Sequence, residues 1–153
     1  MATILTTTHP LLSVPFNAAT DFTVLASHCE NFAENLIESH DPVLKMALCG
    51  RINACLTLLQ PALLDPVPPH LIESLTVDTL PTLSPRFEPD CTELCDYCLA
   101  LTQILAGQDF SSETQKHLIG LLYDLINYFA AEMKAPRWLR TADGVKLIDG
   151  VMA

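Results

Sequence analysis

The chain has 153 residues, half of them apolar, and carries 18 Asp and Glu against 8 Lys and Arg, a formal net charge of -10. That length suits a single domain with its own core, and the apolar share excludes a disordered chain. The acidic balance argues against direct nucleic-acid binding, because a phosphate backbone attracts basic faces and repels acidic ones.

Residues 1–19 form an N-terminal arm. Its stretch from Met1 to Asn17 has no Lys or Arg ahead of the apolar residues, so it is not expected to be a secretory signal. A first helical hairpin is expected over 20–60. Phe22, Leu25, Cys29, Phe32 and Leu36 recur at helical spacing and gather on one face, while Glu30, Glu34 and Glu38 lie opposite. Thr20 is the expected cap, and Asp21 suits the positive end of the helix dipole. Ser39-His40-Asp41-Pro42 stops that helix and starts the next, with Asp41 as N-cap and Pro42 at the first helical position. The second helix is expected from Pro42 to Leu59, with Leu44, Ala47, Leu48, Cys55 and Leu59 inward and Gln60-Pro61 as its end.

Seven of the eleven prolines fall between Pro61 and Pro89, which predicts an extended strap lying across the helices, with one short helical turn between His70 and Leu75. A second hairpin is expected over 90–135. Asp90 and Glu93 have capping-box spacing, Leu94, Cys98, Leu101 and Leu105 make a stripe, and Gly107 stops the helix. The fourth helix, Ser112 to Met133 with Ser111 as cap, has a wide apolar face of Leu118, Leu121, Leu122, Leu125, Ile126, Phe129 and Met133. Leu25-x-x-x-Cys29 recurs as Leu94-x-x-x-Cys98, and Leu48-x-Gly50 recurs as Leu118-x-Gly120, the pattern an internal duplication would leave. The fold class is therefore all-α: two antiparallel helical hairpins packed as a four-helix bundle in one domain, joined by a Pro-rich crossover. Residues 136–153 form a basic tail, in which Ala142-Asp143-Gly144 between two short β-prone runs predicts a β-hairpin.

No apolar run reaches the ~18–20 residues of a membrane span, so no membrane contact is expected. Without an export signal, the six cysteines Cys29, Cys49, Cys55, Cys91, Cys95 and Cys98 are expected to be free thiols in a reducing cytoplasm. Cys29 and Cys55 then act as small hydrophobes on their stripes.

The segment Cys91-Thr92-Glu93-Leu94-Cys95-Asp96-Tyr97-Cys98 spaces three cysteines as C-x3-C-x2-C with an aromatic before the last. It resembles the cluster motif of radical S-adenosylmethionine enzymes, which would imply a [4Fe–4S] cluster held by three thiolates. That family carries the motif in a loop of a β/α barrel, whereas the caps around Asp90 place it here in a helix. On a helix the three thiols share a face at i, i+4 and i+7, which admits a zinc site with His28, Cys29 or His117 as fourth ligand. Cys91 at a helix N-terminus could also act as a nucleophile with His117. The competing expectation, which we carry forward, is that the thiols are packing or boundary residues and that the chain has no cofactor.

Residues 10–27, from Pro10-Leu11-Leu12-Ser13-Val14-Pro15-Phe16 into Asp21-Phe22 and the following helix, resemble the opening of a family of short, function-unassigned bacterial helical proteins. The resemblance implies a bacterial cytosolic setting and assigns no activity. No phosphate loop, nucleophile elbow or zinc-protease helix is present in the sequence. The expected function is a non-enzymatic, acidic interaction protein: a regulator, adaptor or inhibitor steered toward basic partner surfaces, one version being an inhibitor in the nucleic-acid groove of an enzyme, with the wide face of the fourth helix allowing a homodimer. Half of the basic residues, Lys134, Arg137, Arg140 and Lys146, lie in or beside the tail, which either folds back on the chain's own carboxylates or docks on an acidic partner. Arg137, Trp138 and Arg140 are the candidate contact residues. The alternative is a Zn, Fe–S or thiol-redox protein using Cys91, Cys95 and Cys98.

Overall fold

A computed structural model describes residues 9–83 and 86–148. Residues 1–8 of the N-terminal arm, Ser84 and Pro85 of the strap, and residues 149–153 of the tail lie outside the described residues. The chain is mostly helical and forms two compact units, Met1–Leu80 and Pro81–Ala153.

The first unit is a helical hairpin preceded by a 3-10 turn at Pro10–Ser13. Helix α1 spans Phe22–Glu38, and its cap is Asp21, whose Oδ1 accepts from the amides of Thr23 and Val24. Thr20, the cap expected from sequence, instead closes the preceding turn, where its hydroxyl accepts from the Asn17 amide. The carboxylate wins because an anion at the helix start satisfies two orphan amides and also meets the positive end of the dipole. These hydrogen bonds, first that from the Thr23 hydroxyl, hold the Asp21 carboxyl below its usual range.

Helix α2 spans Pro42–Ala62 and starts on the Asp41 cap with Pro42 in its first turn. It runs past the expected stop at Gln60-Pro61, because a proline in the last turn still presents its carbonyl, and the Leu64 amide donates to Pro61 O. Leu25, Phe32, Leu48 and Cys55 form the core between α1 and α2, with Cys29, Leu36, Leu44, Ile52 and Leu59 packed around it. Full burial of a side chain such as Phe32 or Leu48 contributes about 1.5–3 kcal/mol.

Phe16 of the arm is also drawn in. The Arg51 guanidinium lies 4.2 Å from the Phe16 ring centre and 5.4 Å from that of Phe32, and it donates to the Val14 carbonyl. A cation over two aromatic faces thus ties the arm to both helices. His28 completes this group, 6.2 Å from Phe32 and 5.9 Å from Phe16.

By length and composition, α2 is also apolar enough to cross a membrane. This corrects the expectation that no run in the sequence is long enough, because an average over the helix passes over the scattered Lys45 and Arg51. The strap after α2 contains a 3-10 turn at Pro69–Leu71, close to the turn expected between His70 and Leu75. Leu71 is buried there, while Leu64, Val77, Leu80 and Leu83 remain exposed.

The second unit repeats the helical hairpin. Helix α3 spans Cys91–Gly107 and opens on a complete capping box: the Glu93 amide donates to Asp90 Oδ1 at 2.9 Å, and the Asp90 amide donates to Glu93 Oε2 at 3.0 Å. Helix α4 spans Ser112–Lys134 from the Ser111 cap. Leu94, Cys98 and Leu125 are its buried core, with Leu101, Leu122 and Phe129 alongside. Phe87 is fastened to α4 by an edge-on contact with Tyr128 at 5.6 Å and by the Tyr128 hydroxyl, which donates to Phe87 O. Two antiparallel strands close the chain, β1 at Trp138–Thr141 and β2 at Gly144–Leu147.

Candidate functional site

Cys91, Cys95 and Cys98 all lie on α3, and the helix gives them different surroundings. Cys91 is half-buried in the first turn, Cys95 is exposed, and Cys98 is buried against Leu94 and Leu125. Cys95 and Cys98 border an apolar cavity of about 190 Å³ with Leu99, Thr102, Ile126 and Phe129. Such a lining suits thiols acting as small hydrophobes.

Among the described residues, no three His, Cys, Asp or Glu side chains gather closely enough to hold a metal ion. The residues considered as a fourth ligand have other surroundings. His28 faces Phe16 and Phe32, Cys29 packs beside the Leu25 and Cys55 core, and His117 is exposed on α4. The capped helix through Cys91–Gly107 also differs from the loop that a radical S-adenosylmethionine motif would occupy.

The other candidate is the tail. Ala135 ends α4, and Pro136 prevents its continuation. The Ile148 amide donates to Arg137 O at 2.9 Å, so the pairing of β1 and β2 extends one step past the strands. Trp138 pairs with Leu147, Leu139 with Lys146, Arg140 with Val145, and Thr141 with Gly144. Directly paired residues share a face, so one face carries Trp138, Arg140, Val145 and Leu147, and the other carries Leu139 and Lys146.

The turn differs slightly from the expected one. Ala142 and Asp143 are its central residues, and Gly144, at φ +114°, is the first residue of β2. Glycine is required there because a side chain would be strained at that angle. The Thr141 hydroxyl donates to Gly144 O at 2.8 Å and braces the turn.

Both faces of this hairpin meet solvent. Trp138 is 63% exposed, and Leu139, Val145 and Leu147 are similarly open. Arg140 and Lys146 are exposed, and Arg137 is half-buried. Among the described residues no ion pair ties these three cations to a carboxylate of the chain. A two-stranded hairpin is marginal by itself, so one that leaves an indole and three aliphatic side chains in water gains from being covered. The fold thus gathers Trp138 and Arg140 on one strand face, with Arg137 at its base.

Sequence reasoning singled out these residues but not the cavity between the start of α1 and the end of α2, whose lining includes Ala18, Phe22, Leu63 and Val67. The separation of those two segments along the chain hid it, and only the antiparallel hairpin sets them side by side. Comparisons with family models, curated proteins and solved structures produced no match to this chain.

Proposed function

We propose that the chain is a small, acidic, non-enzymatic interaction protein of the cytosol whose C-terminal hairpin is a docking element. The observation that carries this reading is Trp138, an indole 63% exposed on a hairpin whose neighbouring apolar side chains are equally open. Tryptophan and arginine are the side chains that most often anchor protein interfaces, because each buries much area and also keeps a directional donor. Arg137, Trp138 and Arg140 supply the contact, and their positive charge favours an acidic partner segment. The acidic body, including the exposed Glu30, Glu34 and Glu38 face of α1, steers approach toward basic surfaces. One protein can offer both signs to a partner that handles nucleic acid without binding nucleic acid itself.

In the same reading the two hairpins close on each other as a four-helix bundle. Val43 and Met46 of α2, and Ile119, Tyr123, Ile126 and Met133 of α4, are exposed apolar side chains that such closure would cover.

The test is affinity capture with the full chain and with a Trp138→Ala, Arg140→Ala double variant, both checked for helicity. Each captured protein is then purified and its binding measured directly. The proposal expects a stoichiometric partner that binds the wild type and loses at least tenfold in affinity for the variant, about 1.4 kcal/mol or more for the two residues together. Equal binding by both chains would overturn it. So would stoichiometric zinc or iron in anaerobically purified protein that disappears with Cys95→Ser.

A further inference from the structure

The pairing of β1 with β2 decides which way each backbone group of the tail points. In an antiparallel pair, residues that exchange hydrogen bonds alternate with residues whose amides and carbonyls face outward. The Ile148 amide donates to Arg137 O, and Leu139 and Thr141 stand opposite Lys146 and Gly144, so the inward bonds fall to Arg137, Leu139 and Thr141. The amides and carbonyls of Trp138 and Arg140 therefore lie on the outer side of β1. Among the described residues the sheet has these two strands alone, so no third strand covers that edge, and neither strand packs extensively on a helix. Edge backbone of this kind is a ready template for another extended chain. Pro136 lies before the strand, and no proline interrupts the row from Arg137 to Thr141.

The side chains along that edge set the chemistry of a third strand. Successive residues point to opposite faces, so Trp138 and Arg140 share one face, and Arg137 and Leu139 share the other. Each face thus offers one guanidinium and one large apolar side chain, in opposite order. Trp138, Leu139 and Arg140 are exposed, and among the described residues no carboxylate pairs with either guanidinium. Opposite charges and apolar pairs directly across a ladder stabilise it, and like charges do not. A strand laid along Arg137-Trp138-Leu139-Arg140 is therefore best matched as acid, apolar, apolar, acid, a pattern that reads the same in both directions. The β2 edge is the poorer one: it carries a single cation, Lys146, and starts on Gly144 at φ +114°, outside the extended region. Bringing the arginines of two copies together is repulsive, which disfavours a second copy of this chain at the β1 edge.

We propose that the outer edge of β1 takes an extended acidic segment of a partner protein as a third strand, with acid, apolar, apolar and acid residues beside Arg137 to Arg140. This inference rests on the reading of the tail as a docking hairpin and adds how the partner is held. Backbone pairing at Trp138 and Arg140 supplies the grip, and the two arginines select the sign of charge. A third strand also stabilises a two-stranded hairpin that is marginal by itself.

The experiment titrates the full chain with a blocked peptide, Glu-Val-Val-Glu flanked on each side by threonines, followed by Trp138 fluorescence and by amide exchange in NMR spectra. One control peptide is N-methylated at the central amides, and another has Lys in place of Glu. The acidic peptide is expected to bind and the lysine peptide not to bind. The N-methylated peptide should bind about tenfold more weakly, the loss of two backbone hydrogen bonds. At saturation the Trp138 and Arg140 amides should exchange roughly fivefold more slowly or better, while the outward amides of Val145 and Leu147 keep their rates. Equal binding by either control overturns the inference, as does an acidic peptide that fails to bind, or protection that falls on Val145 and Leu147 instead. Slow exchange of Trp138 and Arg140 in a dimeric free chain would give the edge to a second copy, and tighter binding of an oligothymidylate would give it to nucleic acid; both outcomes also overturn it. The docking reading is decided separately, by capture with the Trp138→Ala, Arg140→Ala variant. A captured partner that depends on those residues but leaves the edge amides unprotected would keep the docking hairpin and remove strand pairing alone.

Discussion

Cys55 shows how position decides the behaviour of a thiol. It is fully buried between α1 and α2, and burial, reinforced by Cys29 beside it, pushes its pKa from 9.0 up to about 11. The folded protein therefore holds this proton more tightly than the unfolded chain does. Its stabilising effect is complete below pH 9.0 and is lost as pH rises toward 11. Denaturant midpoints measured across that interval should fall with pH for the wild type, and the fall should be smaller in Cys55→Ala. In the native protein under mildly alkaline conditions, a thiol reagent should modify exposed Cys49 and Cys95 first and Cys55 last. Equal rates for all six thiols would contradict this placement. The sequence marked Cys55 as core through its spacing from Leu48 and Leu59. It offered no sign that Cys29 would lie beside it, because that contact joins two helices.

At the scale of elements, capping chemistry was the most legible feature. Asp41-Pro42, Asp90 with Glu93, and Ser111 each start a helix where the residues alone place one. These signals are local, a side chain meeting amides two or three positions away, so they survive without knowledge of the fold. Arg51 was not legible in the same way, since its partners Val14, Phe16 and Phe32 come from the arm and another helix. The strap was legible in part. Proline fixed its extended character, but leucine content alone could not say that Leu71 is buried while Leu64 and Leu80 face solvent.

The recurring glycines make a separate prediction. Gly50 and Gly120 sit inside α2 and α4, and a side-chain carbon added at either would meet nothing within 4 Å. Gly50→Ala and Gly120→Ala should each raise stability by about 0.5–1 kcal/mol, seen as a higher denaturant midpoint. A loss of stability would show that another surface presses on that glycine. Gly144→Ala should act oppositely and loosen the tail, because φ of +114° suits glycine alone.

For the whole molecule, the sequence indicated two alike helical hairpins, and the structure forms two units with one hairpin and one apolar core in each. Pairing within a hairpin follows from a short connection and matched stripes, both visible in the sequence. The proposed closure of one hairpin on the other would rest on long-range packing, which no local signal encodes. The proposed bundle has a definite consequence in solution: a monomer with a radius of gyration of about 15 Å by small-angle X-ray scattering. A clearly larger radius for a monomer would leave the hairpins apart, and a dimeric mass would assign the α4 stripe to a second copy.

The tail is the part of the candidate site that was most legible, since Asp143-Gly144 and the clustered basic residues are adjacent in sequence. The solvation of its apolar side chains could be read only in three dimensions. Trp138 is the sole tryptophan of the chain, so its fluorescence reports on the docking hairpin alone. The account predicts red-shifted emission from the free monomer that acrylamide quenches efficiently, as for an indole in water. Blue-shifted emission that resists quenching would place the ring in the protein's own interior and contradict the account.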